Sequence, residues 1–457
     1  MAEKRGSLGM KKTPRLLAVE ILNRVDESDA FAEPLLDACL SGNSLTDLRD
    51  RRLLTQLVYG ALRMRGYLDW IIGRLYRGKA GSLETGIQNI LRTGLYQLLF
   101  TDRIPVFAVL DEAVKTSKIM YPGRAGLVNA ILRNALRKKE EIVFPSLEKD
   151  PALHISILYS HPLWLVKEWI GMFGADETIA LCRANNQIPP FTVRVNRLKA
   201  TRDDVIERMQ REGFEAASTV FSPEGIVLDH PAVPIRETDS YREGLIQIQD
   251  EASQQISHLV APQPGEQILD ICAGAGVKTT HLAEIMGNRG SILAVDVNAN
   301  KITALRELTR RLGTAIIHTS VKDATADLGR EFHGKFDRII VDVPCSGLGT
   351  LRRNPEIKWR LQPEDIGNSA GLQRQILMSA ARYLREGGTL IYTTCTVMPV
   401  ENEEIIADFL KEHGRFRLGE VPDVIDPRMV DAGGYFRTSP HLHGTDGFFG
   451  AVLVKTG

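Results

Sequence analysis

The chain has 457 residues, 43% of them hydrophobic, and its 57 Lys and Arg residues balance its 57 Asp and Glu residues. This length is more than one hydrophobic core usually holds, so we expect a globular protein of two or three domains. No apolar run approaches the length of a transmembrane helix, and the polar N-terminal stretch MAEKRGSLGMKKTPR lacks the apolar core of a signal peptide, which predicts a cytoplasmic protein without a membrane partner.

The cysteines and the distribution of charge narrow the class further. None of the five cysteines belongs to a CxxC pair and no histidine cluster has metal-ligand spacing, so we expect neither a disulfide framework nor a metal site. Residues 1–140 contain 23 Lys and Arg residues against 15 Asp and Glu residues, which makes this part basic and the remainder acidic. A basic module predicts a polyanion partner, although a solvated Arg-rich helical surface accounts for the excess equally well. Nothing in the sequence requires more than a monomer.

The first part of the chain has the pattern of one helix after another. Segments such as PRLLAVEILNRV, IQNILRTGLYQLLF and AGLVNAILRNALRKK repeat apolar residues at spacings of three and four. No strand pattern interrupts them, so we predict an all-α bundle, domain 10–145. The charged, proline-bearing stretch KKEEIVFPSLEKDP then predicts a linker.

Residues 150–242 mix helical and strand patterns, which predicts a small α+β module. Helices are predicted at HPLWLVKEWIGMFG and at ADETIALCRANNQ, the second beginning near Asp176. Thr201 and Asp204 are spaced as a capping box that opens a third helix. Strands are predicted at PPFTVRVN, GIVLDH and GLIQIQD.

Strands and helices alternate from residue 243 to residue 457. The strand-like runs are QILDIC, SILAVD, AIIHTS, FDRIIVDVP, GTLIYTTC and FFGAVLVK. This alternation predicts a Rossmann-like α/β domain with a parallel sheet covered on both faces. Ligands in such sheets bind at the carboxyl ends of the strands. That rule brings Cys272, Asp296, Asp342 and Cys395 to one edge of the sheet.

The turn after the first of these strands, DICAGAGVKTT, has the composition of a nucleotide-binding loop. Gly274 and Gly276 allow a ligand to approach the backbone, and Asp296, twenty residues beyond Gly276, is placed to accept the hydroxyls of a ribose. Position 279 is Thr279 rather than the third glycine of a dinucleotide fingerprint, which favours a nucleoside without phosphates such as S-adenosylmethionine. Asp323 is placed to bind the adenine amino group, but a helix cap explains it equally well.

Two thiols follow neighbouring strands, in DVPCSG and YTTCTV. A single free cysteine is usually a packing residue, but Cys345 and Cys395 at adjacent strand ends, with Asp342 nearby, favour chemistry. Methylation of a pyrimidine at carbon 5 needs this set: a thiolate adds to carbon 6, and an acid at ring nitrogen 3 stabilises the charge. We expect burial to raise the pKa of Asp342, so that it can donate to that nitrogen. Position alone leaves open which thiol attacks.

The motifs DVPCSGLGTLRRNPEIKW and YTTCTVMPVENEE resemble those of the RNA cytosine-5 methyltransferases of the Sun/NOL1/NOP2 type, and the resemblance covers nearly the whole chain. It implies that Cys395 is the nucleophile, that Cys345 helps release the product and that Asp342 contacts the base. It also implies that S-adenosylmethionine is the cofactor. The family's loop C-A-A-P-G-G-K-T is altered here at several positions, including Ala275 and Val277. The implied cofactor residues are Cys272, Ala273, Gly274, Ala275, Gly276, Val277, Lys278, Asp296, Asp323 and Asp342.

The N-terminal helices resemble the NusB-like RNA-binding domain, a fusion that within this family implies action on small-subunit ribosomal RNA. The resemblance also implies that Arg352, Arg353 and Lys358 approach the RNA backbone near the site. The expected function is therefore S-adenosylmethionine-dependent methylation of carbon 5 of a cytosine in 16S ribosomal RNA. Two alternatives stay open: the same chemistry on transfer RNA, and a non-catalytic RNA-binding assembly factor, which the altered cofactor loop motivates.

Overall fold

The computed structural model describes residues 13–28, 30–41, 45, 47–78, 81–229 and 233–456. Residues 1–12 lie outside these ranges, and they include residues 10–12, the start of the first predicted domain. The last residue of the third predicted domain, residue 457, also lies outside them. The chain divides into two compact units, one of Met1–Gln187 with Leu351–Arg360 and the other of Ile188–Thr350 with Leu361–Gly457. No helix in the described ranges is long and apolar enough to cross a membrane.

The first unit is all-α, as the sequence predicts for its N-terminal part. The helix α1 begins where Thr13 accepts a hydrogen bond from the N–H of Leu16 and Pro14 occupies the first turn. The apolar faces of α1, α3 and α5 then pack together. The helices are α1 (Pro14–Glu27), α2 (Ala32–Ser41), α3 (Leu48–Arg63), α4 (Arg65–Leu75), α5 (Thr85–Phe100), α6 (Val106–Met120), α7 (Ala125–Arg137), α8 (Pro151–Leu158), α9 (Leu163–Phe173) and α10 (Ala175–Asn185). Helices α8 to α10 belong to this unit rather than to the sheet of the middle module.

The second unit begins with a four-stranded antiparallel sheet in the order β2-β3-β1-β4. Helix α11 opens on the predicted cap, since Thr201 accepts from the N–H of Asp204. The strands predicted at PPFTVRVN, GIVLDH and GLIQIQD are confirmed. The elements are β1 (Phe191–Val195), α11 (Arg202–Arg211), β2 (Glu215–Ser218), β3 (Gly225–Asp229), α12 (Asp239–Arg242) and β4 (Ile246–Ile248).

A larger sheet follows in the same unit, with the described strands in the order β10-β12-β9-β8-β5-β6-β7. Strands β5 to β9 are parallel, as predicted, but β12 is antiparallel to β9 and also pairs with β10 and β11, so the sheet is mixed. Its elements are α13 (Glu251–Val260), β5 (Gln267–Ile271), α14 (Val277–Ile285), β6 (Ser291–Asp296), α15 (Ala299–Leu312), β7 (Ile317–Val321), β8 (Phe336–Asp342), α16 (Ile357–Arg360, within the first unit), α17 (Pro363–Ala380), β9 (Leu384–Thr394), α18 (Glu403–Glu412), β10 (Phe416–Leu418), β11 (Phe436–Arg437), α19 (Pro440–His443) and β12 (Phe449–Lys455).

The excursion Leu351–Arg360 leaves this sheet and folds with the helices of the first unit. The indole N–H of Trp359 donates to the carbonyl of Leu62 at 2.7 Å. The ammonium of Lys358 donates to the carbonyl of Arg63 at 3.1 Å and to Oδ1 of Asn186 at 3.3 Å. The segment is therefore held by backbone and side-chain groups of the bundle.

Two of the three residues predicted to contact RNA are buried within residues 351–360. Lys358 is 1% exposed and Arg352 is 3% exposed. Side chains this buried do not reach a phosphate, so the prediction that these two residues approach the RNA backbone is wrong. Arg353 is half-buried, and its predicted role stays a prediction.

The buried ammonium of Lys358 makes stability depend on pH. Burial is the main reason that its pKa falls from 10.5 to about 7; Cys182 acts in the opposite direction and Arg63 in the same direction. The unfolded chain therefore binds an extra proton between about pH 7 and pH 10.5, and stability rises with pH across that window. We expect Lys358→Met to remove roughly 1–3 kcal/mol of this rise between pH 7 and pH 9.5, since methionine has no titratable group.

Thermal melts at pH 7 and pH 9.5 check this expectation. Lys118→Met in α6 is the matched control, because Lys118 is exposed and its removal should change neither the melting temperature nor its pH dependence. A Lys358→Met variant that keeps the parent protein's full rise in stability from pH 7 to pH 9.5 would contradict the expectation.

Candidate active site

The carboxyl ends of the parallel strands border a cavity of about 500 Å³. Gly276 alone among the predicted catalytic and cofactor residues is not on its wall, because it lies under the loop, against Leu305. The predicted residues that line the cavity are Cys272, Ala273, Gly274, Ala275, Val277, Lys278, Asp296, Asp323, Asp342, Cys345 and Cys395. The fold therefore brings together residues that are up to 123 positions apart in the sequence, as the strand-end rule predicts.

The loop between β5 and α14 turns sharply beneath this cavity. Gly274 has φ 60° and Gly276 has φ 83°, in the left-handed region that glycine favours, and Cys272 adopts the same region at φ 63°. Val277, which replaces a glycine of the family pattern, is the first residue of α14, a backbone position open to any L-residue. Burial raises the pKa of Cys272 to about 12, so this thiol stays protonated and is a poor nucleophile.

Two acids stand at the ends of β6 and β7. Asp296 accepts from the N–H of Gly274 at 2.9 Å and from the N–H of Asn298 at 2.8 Å, so it holds the loop and faces the cavity at the same time. Asp323 accepts from the N–H and the hydroxyl of Thr325 at 2.9 and 2.8 Å, and these bonds lower its pKa. Asp323 therefore stabilises a turn rather than the helix cap given as the alternative, and it lines the cavity as well.

The two thiols lie in contact, which confirms their predicted proximity. The Sγ atoms of Cys345 and Cys395 are 3.2 Å apart, and the backbone N–H of Cys395 is 3.3 Å from Sγ of Cys345. The hydrogen bond with Cys395, followed by burial, raises the pKa of Cys345 well above its ordinary value. The raised pKa favours the protonated form of Cys345.

An ion pair faces the thiols from the cofactor loop. Nζ of Lys278 lies 2.6 Å from Oδ2 of Asp342. Burial lowers the pKa of Lys278, but Asp342 and Cys395 together outweigh it, so the pKa is raised and the ammonium stays charged. Asp342 thus faces a cation, and its environment is not the apolar one from which we expected a carboxylic acid. The group with protons to donate here is Lys278.

Buried polar residues for which no role was predicted hold the loops that carry Cys345 and Cys395. Glu401 accepts from the N–H of Ser346 at 2.8 Å and from the side-chain amide of Gln373 at 3.0 Å. The same amide donates to the carbonyl of Pro344 at 2.9 Å, next to Cys345. Glu401 lies within YTTCTVMPVENEE, so the motif marked its position, but its partners come from a distant loop and from α17.

The middle module supports the cofactor loop from behind. Arg194 of β1 is fully buried and lies 2.7 Å from Oε1 of Glu284, at the far end of α14. It also donates to the carbonyl of Val277 at 2.9 Å, and to the hydroxyl of Thr280 at 3.2 Å. One guanidinium therefore fixes both ends of the helix that follows the loop.

The cavity fits S-adenosylmethionine. The N-terminal turn of α14 presents free N–H groups beside Gly274, where a carboxylate is stabilised. Asp296 at the end of β6 is placed for ribose hydroxyls, and its charge and that of Asp342 suit a cationic ligand. Val297 and Ile376 give the wall an apolar part for a purine ring.

Comparison with known proteins divides the chain into three matched regions. Residues 257–454 match the family described as 16S rRNA methyltransferase RsmB/F. Residues 12–137 match the NusB family, and residues 161–236 match the ferredoxin-like domain of RsmF/B-like methyltransferases. Together these regions cover most of the chain.

Similar proteins extend over nearly its full length. A probable ribosomal RNA small subunit methyltransferase B of Bacillus subtilis (strain 168) is 36% identical over 98% of this chain and 100% of its own length. The ribosomal RNA small subunit methyltransferase B of Serratia proteamaculans (strain 568) is 35% identical over 89% of this chain and 91% of its own. The crystal structure of PH0851 superposes with a TM-score of 0.82 at 29% identity, over 98% of this chain and 100% of that one.

The two loop glycines differ in what an added methyl group meets. Both have positive φ, but a Cβ at Gly276 would lie 2.4 Å from Cγ of Leu305, whereas one at Gly274 meets nothing closer than 4.0 Å. Gly274→Ala therefore adds only backbone strain to the ligand-free protein, about 1 kcal/mol, and Gly276→Ala adds a steric clash. We expect Gly276→Ala to lower the free energy of unfolding by roughly 1–3 kcal/mol more than Gly274→Ala does. Thermal melts of both variants without ligand measure this difference, and equal losses would contradict the packing described for Gly276.

Proposed function

Because this chain belongs to the 16S rRNA methyltransferase RsmB/F family, we propose that it methylates carbon 5 of a cytosine in small-subunit ribosomal RNA through a covalent bond to Cys395. S-adenosylmethionine is the cofactor, and when bound it supplies an electrophilic methyl group on sulfur. The single observation on which the proposal rests is the thiol pair, 3.2 Å between Sγ atoms, on the wall of the cofactor cavity.

Cys395 attacks and Cys345 assists. The raised pKa of Cys345 favours its protonated thiol, which suits assistance rather than attack, and Cys395 lies in the motif YTTCTV, whose thiol the family resemblance implies is the nucleophile. The thiolate of Cys395 adds to carbon 6 of the base, and the electrons of the 5,6 double bond make carbon 5 nucleophilic. Carbon 5 takes the methyl group, and the electrons of the broken bond stay on the sulfur that carried it. Carbon 5 then loses its proton to water acting as a base, the electrons of that carbon–hydrogen bond restore the 5,6 double bond, and the electron pair of the carbon–sulfur bond returns to Sγ of Cys395. Cys345, in contact with the departing Sγ, helps release the product.

The pair of Lys278 and Asp342 contacts the pyrimidine edge at ring nitrogen 3. Addition at carbon 6 pushes negative charge onto this nitrogen, and a positioned donor stabilises it. Asp342 accepts a hydrogen bond from the ammonium of Lys278 at 2.6 Å, which leaves the other N–H groups of the ammonium to donate to the base. Asp342 therefore orients the donor, a revision of the idea that its own carboxyl donates.

Ribosomal RNA is the substrate class that the domain content favours. The NusB match lies in the basic part of the chain, and relatives named for the small ribosomal subunit span almost the whole protein. A target base inside a stack must leave that stack to reach the cavity, which requires contacts between the protein and the RNA outside the active site. Arg353 stays a predicted RNA contact.

The roles of the two thiols are separable by substitution. With small-subunit RNA and S-adenosylmethionine, we expect Cys345→Ala to accumulate a protein–RNA adduct on a denaturing gel, because addition proceeds and release stalls. Cys395→Ala should give neither adduct nor methylated product. Cys39→Ala, a cysteine of α2 outside the cavity, is the control that should behave as the parent protein.

Each alternative corresponds to a distinct outcome of the same experiment. An adduct with Cys395→Ala and none with Cys345→Ala would reverse the two roles. Methylation of transfer RNA in preference to ribosomal RNA would identify transfer RNA as the substrate. If the parent protein binds RNA but transfers no methyl group, the non-catalytic assembly factor would be the better explanation. Mass spectrometry of the product nucleoside identifies carbon 5 as the methylated position.

Removal of the ammonium tests its role at the base. We expect Lys278→Met to lower kcat about 100-fold, since a positioned donor contributes roughly this much. Lys301→Met is the matched control: Lys301 lines the same cavity but is exposed, so its loss should leave kcat within about threefold. Equal effects of the two substitutions would assign the loss to general electrostatics and remove Lys278 from the proposal.

A further inference from the structure

Three buried ligand-type side chains meet behind the cofactor loop, away from the cavity described above. They are Glu224, just before β3, His258 in α13 and His281 in α14. Their exposures are 3%, 5% and 0%. One ligand atom from each lies within 4.8 Å of the other two. All three belong to the second unit.

His281 lacks the partners that a buried imidazole normally has. Neither Nδ1 nor Nε2 has a hydrogen-bond partner, although the side chain is fully buried. A buried polar group without a partner costs roughly 1–3 kcal/mol, so such a group needs an explanation. Nε2 of His281 lies 3.9 Å from Oε2 of Glu224, too far for a hydrogen bond but suitable for two ligands of one ion.

The other two members have the chemistry of metal ligands. Nε2 of His258 lies 2.8 Å from the same oxygen of Glu224, and its ring meets that of His281 edge to face at 5.2 Å. Imidazole nitrogens and carboxylate oxygens are the atoms by which histidine and glutamate bind Zn²⁺.

The surrounding charges leave one carboxylate oxygen for an ion. Arg197 pairs with Oε1 of Glu224 at 2.9 Å and is 53% exposed at its side chain, so its charge is partly solvated. Arg194, which also acts on His281, is neutralised by Glu284 at 2.7 Å. Oε2 of Glu224 is the oxygen that faces both histidines.

We infer that Glu224, His258 and His281 form a binding site for a divalent transition-metal ion of the Zn²⁺ type. Two imidazoles and one carboxylate are a donor set that Zn²⁺ binds, with ligand distances of about 2.0–2.2 Å. A cavity of about 600 Å³ borders Glu224 and His258 and gives solvent a route for entry and for a fourth ligand. This inference replaces the expectation of a protein without a metal site, and it goes beyond methyl transfer.

The ion would join the middle module to the helix that follows the cofactor loop. Glu224 is fixed to β1, because its carbonyl accepts from the N–H of Val195 at 2.9 Å. His281 is one turn beyond Val277, which lines the cofactor cavity. The chemistry assigned to this ion is structural: it fixes α13, α14 and the small sheet in one arrangement.

Metal content of the full-length, tag-free protein tests the inference. Thiols are zinc ligands and Cys345 and Cys395 lie in contact, so the titration uses a Cys345→Ala, Cys395→Ala background. After treatment with a chelator and addition of ZnCl₂, we expect one tightly held Zn²⁺ per chain by mass spectrometry, a raised melting temperature and no comparable effect of MgCl₂. Co²⁺ in place of Zn²⁺ should give the visible absorption of a nitrogen- and oxygen-ligated site.

Two ligand variants and a control make the result decisive. His281→Leu should weaken Zn²⁺ binding at least about 100-fold and abolish the Zn²⁺-dependent rise in melting temperature. Glu224→Gln, which preserves volume, gives a second reading should His281→Leu fold poorly. His318→Gln removes an exposed histidine of β7 and should change neither quantity. No tightly held Zn²⁺ in the background protein, or equal Zn²⁺ binding in all three variants, would overturn the inference.

Discussion

The parallel pairing of β8 with β9 is the constraint on which the candidate active site depends. Asp342 pairs with Thr393 in this register, and the N–H of Val343 donates to the carbonyl of Thr393 at 3.2 Å. The two cysteines follow within three residues of this last pair, so the ladder itself brings their sulfur atoms together. A shift of one residue would separate the thiols and turn alternate side chains to the other face of the sheet. Sheet hydrogen bonding, rather than loop geometry, is therefore what sets the reactive distance.

Charge at this edge of the sheet is arranged around one cation. The ammonium of Lys278 pairs with the carboxylate of Asp342 and interacts electrostatically with Cys395, and α14, which carries Lys278, is fixed at both ends by the buried guanidinium of Arg194. Protein groups hold these side chains, so the site is organised before any ligand arrives. The middle module thus contributes to the chemistry without placing a residue in the cavity.

Much of this arrangement was predictable because it follows from local patterns. Apolar runs marked the strands, the alternation of strands and helices marked the sheet, and the rule of strand ends collected the cavity residues. The orientation of β12 was not predictable, since an apolar run such as FFGAVLVK has no direction. The burial of Lys358 was not predictable either, because a basic loop normally indicates a solvated surface. The residues that contact Lys358, Arg63 and Asn186, are far away in the sequence. The same holds for Glu224, His258 and His281, whose spacings of 34 and 23 residues match no ligand pattern.

The excursion of residues 351–360 also has a consequence for the order in which the protein is made. The carbonyl of Leu62 accepts a hydrogen bond from Trp359, which lies 297 residues later in the sequence. The carbonyl of Arg63 likewise accepts from Lys358. On the ribosome, the bundle emerges first and its last layer emerges after most of the second unit. Residues 1–187 released alone would lack that layer, and residues from 188 onward would expose it. The helical part is therefore a complete folding unit only in the finished chain, although its own family match ends at residue 137.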